Sequence, residues 1–340
     1  MGVVMLVFLD SFDHYDDPNQ KYSNAGASGI DLSGTKSRTG PGCCALLQYN
    51  GPWLVFQQLS ALVCGLAWFS PGIASASSPQ GIVYFFNGAM GLGGLQFGVA
   101  ALGDCSVAFL QDGSHVTAQS APGVLVPAVY NYVEVKVTFS HLAAGSVEIR
   151  VNGQSVLSLT NVVTGNSGVD WATALQLRGQ GGGGTYIDDF YLCDLTGGVN
   201  DDFLGPVRIY CMLPSADAAP LDWTPSVAGP HYPLVNSVPV DQTTMVQDST
   251  VADQDNYLYD AGAILPNMAI KAVQHSLFAQ LDAAGAGSVE SVVNGSLGSP
   301  AALTVDGHFF MSPWDVDPAT GLTWSAAEMG TMTAGPVVAA

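Results

Sequence analysis

Val133-Glu134-Val135-Lys136-Val137-Thr138-Phe139-Ser140 alternates apolar and polar side chains without a break. A period of two describes a strand with one face in a core and the other in water. Further on, Val147, Ile149 and Val151 alternate with Glu148 and Arg150, then Asn152-Gly153, then Ser155, Leu157 and Leu159. Asn-Gly tolerates the two positive φ angles of a type I′ turn, so this stretch is an antiparallel hairpin.

On the N-terminal side, Trp53–Gln57, Ala61–Phe69, Gly81–Phe86, Leu95–Ala101 and Ser106–Leu110 are short runs separated by Gly, Pro, Ser and Asp. Their spacing suits an antiparallel sandwich, and no 3.6-residue periodicity competes with it. On the C-terminal side, Thr185–Cys193 reads as a strand with Asp188 and Asp189 at its centre. Two acids together in a strand are expected to lie at an edge or beside a cation.

A chain of 340 residues exceeds one sandwich, since domains run to roughly 100–200 residues. Composition changes where Thr196-Gly-Gly-Val-Asn-Asp-Asp202 precedes Phe203-Leu-Gly-Pro206, so the expected domains are 1–198 and 199–340. The fold class is mainly β: an antiparallel, lectin-like jelly-roll sandwich followed by a smaller β-rich domain. In the second domain, prolines between Pro214 and Pro239 and an acidic stretch from Asp241 to Asp260 predict long ordered loops. Residues 269–294 fit both a helical stripe and a strand face; the Asp282–Gly287 turn favours a strand hairpin. Ser325-Ala-Ala-Glu328 has the form of a capping box starting a short helix that Gly330 ends.

Apolar residues make up 48% of the chain and charged residues 11%, so a packed fold is expected rather than disorder. Eight Lys+Arg face 28 Asp+Glu, a formal charge of −20. Such a surface repels phosphate backbones and anionic headgroups, which argues against a nucleic-acid partner. The opening MGVVMLVFL is apolar for nine residues, lacks a basic start and runs into Asp10. It is expected to be a buried or partner-docked strand and not a signal peptide, and with no run near the ~20 residues a spanning helix needs, no membrane insertion is expected. Cysteines 43, 44, 64, 105, 193 and 211 show neither CxxC nor zinc spacing, and read as buried free thiols.

The usual signatures of nucleophilic, phosphate-binding and zinc sites are missing, and the six histidines stand singly. Gly91-Leu-Gly-Gly-Leu-Gln96 and Gly179–Gly184 read as turn or linker glycines. Among the carboxylate pairs, Asp188-Asp189 is the candidate metal site, with calcium the ion that hard oxygen donors suit; otherwise no cofactor is expected. Trp53, Trp68, Trp171, Tyr130, Tyr132 and Tyr191 are the aromatics that glycan stacking could use, with Trp53, Tyr130 and Tyr132 the candidate glycan or partner contacts and burial the competing reading.

Asp10-Ser-Phe-Asp-His-Tyr15 with Lys21-Tyr22, Val133-Glu-Val-Lys-Val137, Gly145–Gly153, Ile187-Asp-Asp-Phe-Tyr191 and Asn200-Asp-Asp-Phe-Leu-Gly205 resemble, in this order, a group of tailed-phage and prophage virion proteins with a concanavalin A-like or laminin-G-like sandwich. Trp223-Thr-Pro-Ser226, Asp248-Ser-Thr250 and Gly321–Ser325 are similar to that group's second domain, whereas Cys43-Cys44 and the end of the chain depart from it. The resemblance implies a homo-oligomeric virion structural protein of the tail, baseplate or fibre, assembled in the host cytoplasm. Its partners would be other virion proteins and a host surface glycan, and it would have no catalytic residues and thus not be an enzyme. Alternatives are a capsid decoration protein, a free carbohydrate-binding module and a sandwich-fold glycan-cleaving enzyme.

Overall fold

The computed structural model describes residues 6–26, 28–46, 51–71, 80–97, 105–111, 115–179 and 184–339. The chain divides into two compact units, Met1–Asp13 with Asp17–Ile209, and His14–Asp16 with Tyr210–Ala340.

The first unit holds β1 (Leu6–Asp10), β2 (Gly29–Asp31), β3 (Cys43–Leu46), β4 (Trp53–Leu59), β5 (Ala61–Phe69), β6 (Gln80–Asn87), β7 (Met90–Phe97), β8 (Val107–Gln111), β9 (His115–Gln119), β10 (Tyr130–Thr138), β11 (Gly145–Val151), β12 (Gln154–Val162), β13 (Ala172–Leu177) and β14 (Thr185–Asp194). One sheet runs β12-β11-β10-β5-β14-β3-β2, with β1 also on β14; the other runs β4-β13-β6-β7-β8-β9. Val133, Val135 and Val137 point into the space between them and are fully buried, as are Val83, Phe85 and Leu95 of the second sheet. Phe85 meets Phe139 edge-on at 5.6 Å across that core. The antiparallel sandwich expected from the alternating runs is therefore present.

The hairpin turns at Asn152 (φ 50°) and Gly153 (φ 80°), as its sequence requires. Leu6–Asp10 pairs with Phe190–Cys193 of the same unit, so this part of the apolar opening is a strand of its own sandwich rather than one donated to a partner's sheet. Residues 1–5 lie outside the described residues, as do 181–183 of the glycine run. Gly93 and Gly94 sit in mid-strand, which corrects their reading as turn glycines: the Phe109 ring lies over one and the Tyr84 ring over the other, where a Cβ would come within 2.8 and 2.7 Å.

The outer face of the first sheet is not solvated as the alternation predicts. Glu134 is fully buried, its Oε1 accepting from the Tyr191 hydroxyl at 2.6 Å and the Gly205 amide at 2.9 Å. Residues 202–209 lie over this face. Phe203 sits under the Arg150 guanidinium at 3.9 Å and the Lys136 ammonium at 5.0 Å, while Lys136 also bonds Asp202 at 2.8 Å. The Val207 carbonyl accepts from Arg38 at 2.7 Å and the Ile209 amide donates to Asp189 at 2.7 Å. These bonds hold 203–209 to the first unit, so the division falls after Ile209 rather than at 198/199.

The second unit contains β15 (Pro214–Leu221), β16 (Thr224–Pro225), β17 (Val246–Gln247), β18 (Asp255–Tyr259), β19 (Val273–Ala279), β20 (Ser288–Val293), β21 (Ser296–Leu297), β22 (Ala301–Ala302), β23 (His308–Trp314), α1 (Ala326–Met329) and β24 (Thr333–Val338). Its main sheet runs β15-β18-β24-β20-β21, with β22 on β20; β16 pairs β17 and β19 pairs β23. The expected strands of 269–294 exist, but they pair with β23 and β24 rather than with each other, because the Asp282–Gly287 connection carries the chain from one sheet to another. Val293, Trp324, Met329, Met332 and Ala334 form the core. Ser325 and Glu328 make both bonds of the capping box, and Gly330 ends the helix. Among the described residues no helix is long and apolar enough to cross a membrane.

Candidate functional site

The outer face of the second sheet carries a row of residues paired across its strands. Trp53 of β4 faces Gln176 of β13, Gln176 faces Tyr84 of β6, Tyr84 faces Gly94 of β7, and Gly94 faces Leu110 of β8. The next row is Val55, Ala174 and Phe86. Tyr84, Phe86, Leu110 and Ala174 pack as an apolar cluster against the half-buried Trp53, although they lie on the face away from the sandwich core.

Arg178, just past β13, lies over this cluster. Its guanidinium carbon is 3.9 Å from the Tyr84 ring centroid and 6.0 Å from that of Phe86, which Trp53 approaches at 4.3 Å. Its Nε donates to Gln176 Oε1 at 2.8 Å. Burial pushes the Tyr84 hydroxyl above its ordinary pKa, with Arg178 opposing the shift, and lowers that of Arg178. No carboxylate of the described residues pairs with Arg178, in contrast to Lys21, Arg38, Lys136 and Arg150, which bind Asp10, Asp189, Asp202 and Glu148. Fully buried Gln176 fixes the guanidinium's orientation, and Gly81 and Gly94 give the Tyr84 ring its place. The outcome is an oriented cation beside an aromatic surface, able to hold a carboxylate or hydroxyls while Trp53 stacks on a sugar ring.

Of the residues nominated from sequence, Trp53 belongs to this face. Tyr130 is half-buried on the other sheet, its hydroxyl donating to the Lys36 carbonyl. Tyr132 is corrected as a contact residue: it is 2% exposed, its hydroxyl donates to the Asp189 carbonyl, and Arg38 lies over its ring. Trp68 and Tyr191 are fully buried. Tyr84, Gln176 and Arg178 were missed; the available signal was the spacing of Gln176 and Arg178, which puts an amide and one of the chain's eight cationic side chains on one strand face.

Asp188 and Asp189 are both fully buried in the interior strand β14 rather than at an edge, and Asp189 takes a φ of 49° at a bulge. Asp188 Oδ2 accepts from the amides of Arg38 and Thr39 at 2.6 and 2.9 Å, and Oδ1 from that of Asp189 at 2.7 Å. Asp189 accepts from the Arg38 guanidinium, the Thr39 hydroxyl and the Ile209 amide. A calcium ion at this pair would have to displace those donors. Among the described residues no group of three or more His, Cys, Asp or Glu is placed to hold a metal ion. Burial raises both carboxyl pKa values, and the neighbouring Asp13 is pushed up to about 7 by burial, against the Gly42 amide bond that lowers it. The cysteines are free, five buried and Cys211 half-buried, and burial pushes the Cys43 thiol up to about 12.

No family model and no curated protein matches the chain. Solved structures do. The endo-β-1,4-glucuronan lyase of Trichoderma reesei is 12% identical over 55% of this chain and 94% of its own, with a TM-score of 0.38. Alginate lyase Aly36B is 12% identical over 56% and 97%, TM-score 0.39, and the alginate lyase vAL-1 of a Chlorella virus 12% over 53% and 98%, TM-score 0.36. The sandwich part of the sequence resemblance is met by the two sheets of the first unit, while its virion part rests on sequence resemblance alone. The expectation that the chain is not an enzyme is corrected: the solved structures similar to it include polysaccharide lyases, and that expectation is withdrawn.

Proposed function

We propose that the sandwich is a carbohydrate-engaging module that takes an acidic polysaccharide across the outer face of its second sheet. The observation that carries this reading is Arg178, a half-buried guanidinium oriented by Gln176 and stacked on Tyr84, without a carboxylate partner among the described residues of a chain whose formal charge is −20. A buried or half-buried charge is costly unless something neutralises it, so an anionic ligand fits a need the chain does not itself meet. Trp53, packed on Phe86 of the same cluster, supplies the stacking surface. Arg178 on a uronate carboxylate would also acidify the C–H beside that carboxylate; cleavage would further need a base to take the proton as the neighbouring glycosidic C–O bond breaks and its oxygen leaves, and the unsaturated-product assay below reads that step.

The phage-particle reading places this module in a multi-copy tail, baseplate or fibre protein, the second unit docking to other virion proteins. That reading rests on the sequence resemblance; the segments that carry it, Val133–Val137, Gly145–Gly153, Ile187–Tyr191 and Asn200–Gly205, meet in one network, through Glu134 with Tyr191 and Gly205, Lys136 with Asp202, and Arg150 with Phe203, which bears on the sandwich and not on a particle.

The test is native-gel retardation of the full chain in neutral and uronic-acid polysaccharides, each lane also assayed for new reducing ends and unsaturated products. Retardation by acidic chains alone supports the reading, and equal migration in every gel rejects it. Immunogold labelling of purified particles tests the virion placement, with tail label expected and unlabelled particles against it.

A further inference from the structure

The second unit contains a hydrogen-bonded serine, histidine and tyrosine, of which the serine lines a cavity. Ser291 Oγ lies 2.9 Å from His275 Nδ1, and His275 Nε2 lies 3.1 Å from the Tyr259 hydroxyl, which donates to the Ala334 carbonyl at 3.4 Å. A hydroxyl has one proton. With that of Tyr259 given to Ala334, the Tyr259 oxygen accepts from Nε2–H, and Nδ1 is left to accept from Ser291 Oγ–H. Ser291 lines a cavity of about 200 Å³, together with Glu290, Ser299, Phe309, Met311 and Ser312.

We propose that Ser291 and His275 form an acyl-transfer site for short-chain carboxylic esters, with Tyr259 the residue that positions the imidazole. A nucleophile, a base bonded to it and a third group orienting the base is the arrangement by which serine hydrolases work on unrelated folds. Burial pushes His275 down to about 4, so it is neutral and able to accept at working pH, though a weaker base than one paired with a carboxylate. The cavity lies below the roughly 300 Å³ at which drug-sized sites begin, which points to an acetyl-sized acyl group.

In the first half-reaction Ser291 Oγ bonds to the ester carbonyl carbon, its proton passes to Nδ1, and the breaking C–O bond releases an alkoxide that takes the proton back from Nδ1. In the second, water adds to the acyl carbon, gives its proton to Nδ1, and Oγ departs and recovers it. Ser299 and Ser312, which also line the cavity, are the hydroxyl-bearing side chains from which the carbonyl oxygen would take a hydrogen bond.

The experiment treats the full chain with p-nitrophenyl acetate and, separately, with an alkyl fluorophosphonate, following nitrophenol release and locating the adduct by peptide mass spectrometry. The expected result is an adduct on Ser291, absent in Ser291→Ala, with turnover reduced about a hundredfold or more in His275→Gln. Tyr259→Phe should lower kcat and leave KM unchanged, which a purely structural role would not produce. Ser291→Cys, which keeps a nucleophile of similar size, should retain the adduct and so separates loss of chemistry from loss of fold. Absence of adduct in the wild type, or the same adduct in Ser291→Ala, overturns the proposal. Neither outcome bears on polysaccharide binding by the first unit.

Discussion

The Arg178 guanidinium carbon lies 3.9 Å from the centroid of the Tyr84 ring, with its Nε held 2.8 Å from Gln176 Oε1. The contact combines a cation–π attraction with a fixed direction, and it requires glycine at two positions: a Cβ on Gly81 would fall 2.8 Å from the Tyr84 ring, and one on Gly94 2.7 Å from it.

Gly94→Val should therefore displace Tyr84. Overpacking of this kind costs about 1–3 kcal/mol, and a backbone carbonyl 2.6 Å from the same Cβ leaves little room for relief. Denaturant unfolding should show the loss of stability, and polysaccharide retardation should weaken with it. Unchanged values in both measurements would mean that the ring does not depend on the glycine.

Removing residues 1–9 should destabilise the sandwich. Leu6 and Phe8 are 1% and 2% exposed, and burying such side chains contributes about 1.5–3 kcal/mol each. Asp10 would lose the strand that leads it to Lys21 and Tyr22, which it binds at 3.1 and 2.9 Å. Calorimetry of the truncated chain should show a lower Tm, and a Tm equal to the full chain's would show that β1 is dispensable.

Stability should fall as pH rises through the range between the ordinary carboxyl value and neutrality. Asp13 is raised to about 7 in the folded chain, so the native state binds the proton that the unfolded state has released. The contribution is whole below the unfolded value near 4 and is lost as pH climbs through the folded one, with a slope approaching about 1.4 kcal/mol per pH unit. Burial shifts Asp188, Asp189 and Glu134 in the same direction. Asp13→Asn should flatten the decline in Tm between pH 5 and pH 8, and an identical slope in the variant would remove Asp13 as its source.

Phe203→Ala should loosen residues 202–209 from the first sheet, since Arg150 and Lys136 both lie over that ring. Loss of a large aromatic costs about 3–5 kcal/mol when it is fully buried, and less at this half-buried position. Hydrogen exchange should then speed up at the Gly205 and Ile209 amides, which bond Glu134 and Asp189. Exchange as slow as in the wild type would show that the segment is held independently of Phe203.

What was legible in the sequence was local. The Asn152-Gly153 turn and the Ser325–Glu328 capping box are set by neighbours within a few residues, and both formed. Features that depend on distant partners were misread or missed. Glu134 looked solvated by alternation, yet Tyr191 and Gly205 bury it; Asp188 and Asp189 looked like edge or cation-binding acids, yet Arg38, Thr39 and Ile209 occupy them. The Asp282–Gly287 turn looked like a hairpin loop, but a turn does not choose its sheet. Arg178 offered only its spacing from Gln176; the register of β13 on β6 is what places it over Tyr84.

The most direct test of the carbohydrate reading is the affinity of the wild type and of Arg178→Ala for one uronic-acid polysaccharide, titrated at low salt by isothermal calorimetry. A charge-assisted contact contributes roughly 1.5–3 kcal/mol, so the variant should bind about ten- to a hundredfold more weakly while keeping the wild-type Tm. Equal affinities would contradict the account, because the outer face would then be binding without the cation that defines it.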